Sequence, residues 1–248
     1  IVVYGTLTVE GNPDAPVKFL AQESERKWGA IVADKSVGRI TIRSASMTQS
    51  GAFEFRGKQY AAAIHINGST VDILDSQIAV DGAGIEAQNS FLTIRNNHFS
   101  HMGEMVHCNR CLATIENNIF EHTIGYNDAI DFDGELGSGS LIRGNRFIGS
   151  EDDAIDMGNS SPRIEGNWIE NCFNKGISLE GISKPSVVNN VIVGCDIGIA
   201  VKDRCTARIA HNTIVRCTAG ISVFEKIAGQ GGGQAEIVNS VIWNTKNS

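Results

Sequence analysis

Apolar residues fall into three columns that repeat along most of the chain. The first runs Ile64, Ile85, Val106, Ile130, Ile155, Ile177, Ile199 and Ile221, at intervals of 21, 21, 24, 25, 22, 22 and 22 residues. The second runs Ile73, Ile94, Ile115, Ile142, Ile164, Val188, Ile209 and Ile237, and the third Ile78, Phe99, Phe120, Phe147, Ile169, Ile192, Ile214 and Ile242. Three short strands per period of about 22 residues, each with an inward apolar side chain, describe one coil of a solenoid. No single coil buries its own face, so stacking like on like is what creates an interior. The expected fold is all-β, a single-stranded right-handed parallel β-helix with three short strands per coil.

A polar column supports the same register. Asn97, Asn118, Asn145, Asn167, Asn190 and Asn212 each precede the third-column residue by two. Asparagine tolerates left-handed turn geometry, and a stacked amide can bond the coils above and below. Residues 1–60 are less regular and read as earlier coils with longer connections; 61–245 are regular, and 1–248 is read as one domain. The chain opens directly on Ile1-Val2-Val3, so it is read as a piece of something longer. No amphipathic helix covers either end, and flanking domains are expected to do so.

Composition narrows the function classes. Isoleucine occurs 30 times and leucine 8 times, a bias that suits strands. With 27 glycines and 4 prolines, turns are made by Gly, Asn and Asp. The net charge of −7 argues against nucleic acid, which calls for a basic stripe. No apolar run approaches the length of a membrane span, so no membrane insertion is expected.

The residue after each first-column position points away from the interior. These are His65, Glu86, His107, Asp131, Asp156, Ser178, Ala200 and Ser222, with Asn67, Gln88, Asn109, Asp133, Gly158, Glu180, Lys202 and Phe224 two further on. The strip is most acidic where Asp128, Asp131 and Asp133 meet Asp152, Asp153 and Asp156 on the next coil. Coils lie about 4.8 Å apart, and two like charges at that distance repel by about 3 kcal/mol at an effective dielectric near 20. Such a group needs a cation, raised pKa values or a basic neighbour. The connections on either side of Ile130 are also longer than usual, and extra loop length beside one patch is where solenoids build sites. Against this stands the plainer reading, in which turn aspartates merely keep an exposed solenoid from self-pairing.

The repeat resembles those of the pectin-lyase-like superfamily, over about residues 28–245. Within it, the acidic coils resemble the calcium-dependent pectate lyases of the ninth polysaccharide-lyase family, which place one Asp on a coil and Asp-Asp-x-x-Asp on the next. That resemblance implies Ca2+ held by Asp128, Asp152, Asp153 and Asp156, with Lys202 or Lys175 as the base for β-elimination on an anionic, uronate-bearing polysaccharide. Arg204 would neutralise substrate. The polygalacturonase pattern is similar too, with Asp128 at its first position, Asp152-Asp153 at its second and Ala200-Val201-Lys202 at its fourth; it implies an inverting hydrolase with Asp153 among the catalytic carboxylates. Lys175 and Ala200 stand where that pattern has histidine and arginine. A third reading is a non-catalytic stalk or carbohydrate-binding module of a larger surface protein. Asp131, Asp133, Glu180, Tyr126 and His107 complete the expected substrate surface, with Tyr126 able to stack on a sugar ring. The setting implied is secreted or cell-surface, and bacterial.

Six cysteines complete the inventory. Cys172, Cys195 and Cys217 recur at one phase and read as a buried row of thiols. Cys108 and Cys111 form a lone pair spaced as CxxC, too little for a zinc site. Trp168 is expected to face outward, away from the acidic strip.

Overall fold

The computed structural model describes residues 1–22, 27–36 and 38–246. They form a parallel β-helix. The third sheet has ten strands, one per coil, from Val17–Phe19 to Val241–Trp243. The first and second sheets are fused into nineteen strands because Val106–Glu116 runs through both. Among the described residues no helix is long and apolar enough to cross a membrane.

The columns set the register. Ile64, Ile85, Val106, Ile130, Ile155, Ile177, Ile199 and Ile221 pair in sequence along the first sheet, and Ile31 extends the row. All but the last are fully buried. In the third sheet Phe99, Phe120 and Phe147 stack with centroids 5.0 and 4.9 Å apart. The second column needs one correction: Val187, not Val188, pairs with Ile164 and Ile209. Both valines are buried, so polarity does not separate them. The discriminating signal is the fixed interval of three to the ladder asparagine, which Val187 keeps and Val188 breaks.

The asparagines form a ladder at the corner between the second and third sheets. Asn145 Nδ2 donates to Ile115 O at 2.9 Å and Asn167 Oδ1 at 3.0 Å, its backbone N–H donates to Asn167 Oδ1, and its own Oδ1 accepts from Asn118 N and Nδ2. The left-handed residue expected at this column is instead the one before it. Asn96, Asn117, Gly144, Gly166, Asn189 and His211 have φ between 55° and 64°. The ladder side chains need ordinary backbone to aim inward, and the turn is made one position earlier, at the surface.

Two segments leave the coil path on the first sheet's side. Phe53–Phe55 and Lys58–Tyr60 pair as an antiparallel hairpin, and residues 225–233 form an excursion after Ala219–Phe224.

Replacing Asn145 by Ala strips the backbone N–H of Asn118 and the carbonyl of Ile115, both on the preceding coil, of their side-chain partner. Since an unmatched buried polar group costs about 1–3 kcal/mol, Asn145→Ala is expected to lower the unfolding free energy by about 3 kcal/mol in urea titrations. Asn212→Ala, at the ladder's end, is expected to cost less.

Candidate active site on the outer face of the first sheet

Strand alternation sends Asp131 outward from Ile130–Glu135 and Asp156 outward from Ile155–Gly158, and the two are direct register partners. Asp128 precedes the first strand in the lengthened connection, opposite Asp153. The backbone N–H of Asp153 donates to Asp128 Oδ1 at 2.8 Å, and that of Lys175 donates to Asp153 Oδ1 at 2.8 Å. Each of these aspartates thus spends one oxygen on the amide of the next coil.

The acidic residues divide into overlapping groups. Oxygens of Asp128, Asp152 and Asp153 lie within 4.8 Å of one another, as do those of Glu104, Asp128 and Asp131; His107, Asp131 and Asp133 form a third such set. Asp156 lies outside the first group, and its Oδ1 is 4.0 Å from Lys202 Nζ. The expected four-carboxylate set is therefore three plus one, with Asp156 set apart toward Lys202.

Burial and crowding change the proton affinity of this patch. Asp128 is pushed up to about 8, first by burial and then by the charge of Asp153. Asp131 rises to about 7 through burial and the neighbouring Glu104, with His107 opposing. Asp153 rises to about 6 by burial, held back by Lys175. Glu104 is raised as well, again chiefly by burial. Glu104 joins Asp128 to Asp131; it stands two residues before its first-column position, as Asp128, Asp153 and Lys175 do.

The lysines differ from expectation in exposure. Lys202 is on the outward row yet only 2 % exposed, and its Nζ pairs with Glu180 Oε2 at 2.8 Å. Lys226 Nζ reaches the same oxygen at 3.1 Å. Burial works to raise Glu180, but these two ammonium groups win and hold it below the usual carboxylate range. Lys175 Nζ lies 3.3 Å from Asp153 Oδ1. Arg204 is exposed in the turn after Ile197–Lys202, and its backbone N–H donates to Gly231 O.

Three polar atoms on this face are buried without a hydrogen-bond partner: His107 Nε2, Asp156 Oδ1 and Ser178 Oγ. Asp156 and Ser178 are register neighbours. His107 Nε2 is 3.5 Å from Asp133 and 3.9 Å from Asp131. Gly158 separates Asp133 from Glu180 in the register, and the carboxylates of both close over it. Beside this floor, Tyr126 and Phe173 stand exposed, ring to ring at 6.5 Å in an edge-to-face pair. The Tyr126 loop is pinned by Glu151 Oε2, which accepts the N–H groups of Gly125 and Tyr126. Phe173 went unsuspected in the sequence because it lies in a turn outside the strip. Away from the site, Trp168 faces outward and all six cysteines are free and buried.

The family of right-handed beta helix regions matches residues 81–242. Among solved structures, the catalytic domain of a GH87 α-1,3-glucanase variant in complex with tetrasaccharides is similar, with 14% identity and a TM-score of 0.62, over 100% of this chain and 60% of its own. The same kind of catalytic domain in complex with nigerose gives 12% identity and a TM-score of 0.46, over 98% of this chain and 60% of its own. PfbA, a surface adhesin of Streptococcus pneumoniae, gives 10% and 0.33, over 96% and 79%. The chain thus spans 60% of the length of the glucanase domains it matches. No curated protein matches the sequence. At these identities the likeness establishes the fold.

Asp128 binds a proton in the folded protein up to about pH 8, whereas an unfolded aspartate releases it near 4. The folded state therefore holds the extra proton between those values. The resulting stabilisation is complete below about pH 4 and is lost as pH rises through about 8. Asp128→Asn is expected to raise Tm by several degrees at pH 8, by less at pH 5 and not at all below about pH 4, in thermal melts without divalent cations.

Proposed function

The chain belongs to the right-handed beta helix family, and we propose that it hydrolyses a neutral glycan laid across the outer face of its first sheet. The observation that carries this reading is a carboxyl held near pKa 7, Asp131, in register with Asp156, whose Oδ1 has no hydrogen-bond partner. Glycoside hydrolysis requires such a pair, one group protonated and the other ionised. Asp131 gives its proton to the glycosidic oxygen as the C–O bond breaks, and Asp156 takes a proton from the water that attacks the anomeric carbon. Burial and the neighbouring Glu104 keep the proton of Asp131 in place. Tyr126 and Phe173 offer faces on which a sugar ring can stack.

Charge supports a neutral substrate. The ammonium groups beside the acidic floor, Lys175, Lys202 and Lys226, are each paired with Asp153 or Glu180. A uronate would meet carboxylates whose neighbouring ammonium groups are already engaged in ion pairs. The complex of the structurally similar glucanase domain with tetrasaccharides fits an α-linked glucan as the first polymer to test. A polymeric glycan substrate fits a secreted or cell-surface protein.

A second reading rests on the oxygens of Asp128, Asp152 and Asp153 lying within 4.8 Å of one another. With waters completing the shell, these three could hold Ca2+, and the ion would bridge to a uronate in a lyase. That route needs Lys175 or Lys202 to leave its ion pair before it can accept a proton.

Activity should be assayed on α-1,3-glucan and on polygalacturonate. Hydrolysis without a rise in ultraviolet absorbance, unaffected by chelator and falling above about pH 7, is the expected outcome. Asp131→Asn is expected to cut kcat by about 100-fold or more, the usual contribution of a general acid. Chelator-sensitive release of unsaturated products would instead select the lyase. No turnover on either polymer would overturn both enzymatic readings.

A further inference from the structure

We propose that the groove on the first sheet is closed at both ends, so that it accepts a chain end or a free oligosaccharide of about five sugars. This rests on the reading of that face as a glycan site, and adds which part of a glycan can enter.

One wall is the hairpin of Phe53–Phe55 and Lys58–Tyr60. It folds onto the outer face of the strands Ile31–Asp34 and Ala62–Asn67. Outward-facing Val32 is 2 % exposed and packs with Tyr60, Phe53 and Phe55. The Tyr60 ring meets the His65 ring edge-on at 4.9 Å, which buries a histidine on a face that alternation alone would leave in water. His65 is fixed as well: its Nε2 accepts the N–H of Ala62, and its Nδ1 lies 3.0 Å from Glu86. Between hairpin and floor lies a cavity whose polar lining includes Asp34, Lys58, Asn67, Glu86 and Gln88. Such a set of donors and acceptors suits the hydroxyls of a terminal sugar.

The other wall explains the burial of Lys202. After Phe224 the chain turns back: Asp203 Oδ1 accepts the N–H groups of Lys226 at 2.6 Å and Ile227 at 3.1 Å. From there Lys226 reaches across the strand of Lys202 to Glu180. The face is therefore roofed at Ile197–Lys202. Between the two walls lie Ala83–Gln88, the first part of Val106–Glu116, Ile130–Glu135, Ile155–Gly158 and Lys175–Glu180, the last exposing only Lys175 and Glu180 because Ser178 is buried. A pyranose in a glycan advances about as far as one coil step of about 4.8 Å, so five strands offer about five positions. Asp131 and Asp156 lie in the middle of that row, and cleavage there releases products of about two or three sugars.

The test uses the intact protein with two oligosaccharide ladders, α-1,3-linked glucose and α-1,4-linked galacturonate, of about two to eight sugars, together with the long polymers. Affinity for the Asp131→Asn variant is measured by calorimetry, and products of the unaltered protein by chromatography. Affinity that rises to about five sugars and is flat beyond, with short products released from one end and polymer viscosity preserved, is expected. Affinity that keeps rising, or cleavage inside the polymer with an early loss of viscosity, would overturn the closed groove and leave the hydrolase intact. A plateau without cleavage would uphold the closed groove and overturn the hydrolase. No binding on either ladder would overturn the glycan site itself, and the closed groove with it.

Discussion

Apart from the hairpin at 53–60, the described strands lie in parallel register on their counterparts one coil away, so a residue type that repeats becomes a ladder whether or not a ladder is favourable. For isoleucine, phenylalanine and asparagine the ladder is stabilising: apolar rows exclude water, and each amide of the Asn97–Asn212 column bonds its neighbours. For aspartate the same geometry is costly. Asp131 above Asp156, and Asp128 against Asp153, bring acidic groups together that bulk water would keep apart. Asp128, Asp131 and Asp153 are pushed up in proton affinity, first by burial and then by acidic neighbours that the fixed coil step cannot move apart.

The second sheet shows how such crowding is relieved where no chemistry depends on it. There Asp72 pairs with Arg39, Asp75 with Arg43, and Glu116 with both Arg95 and Arg143. Acids on that face have a guanidinium on an adjoining strand. On the first sheet Asp128 and Asp131 have acids for near neighbours, with only an imidazole close to Asp131. One molecule thus carries a neutralised acidic face and an unrelieved one.

Much of this was legible in the sequence. The columns gave the stacking order, the placement of Asp131 on Asp156 and the corner ladder. Val188 was misplaced because two adjacent buried valines satisfy the same polarity rule, and only their distance to Asn190 separates them. The site was partly legible: the acidic coils adjoin and His107 lies against Asp131 and Asp133, whereas Asp156 departs toward Lys202 and Tyr126 pairs with Phe173. What the repeat cannot disclose is covering from a distance. His65 and Lys202 occupy positions that alternate outward, and they are buried because the hairpin at 53–60 and the turn at 224–227 return over them. Periodicity within a coil carries no information about segments that leave the coil.

The two returning segments are rooted in different coils, separated by whole repeats. Their spacing is therefore quantised. Duplication or loss of a single repeat between them would lengthen or shorten the enclosed trough by one increment while leaving both ends intact. In such an architecture, capacity is governed by copy number, a dimension along which genes change by one recombination event without redesigning any contact.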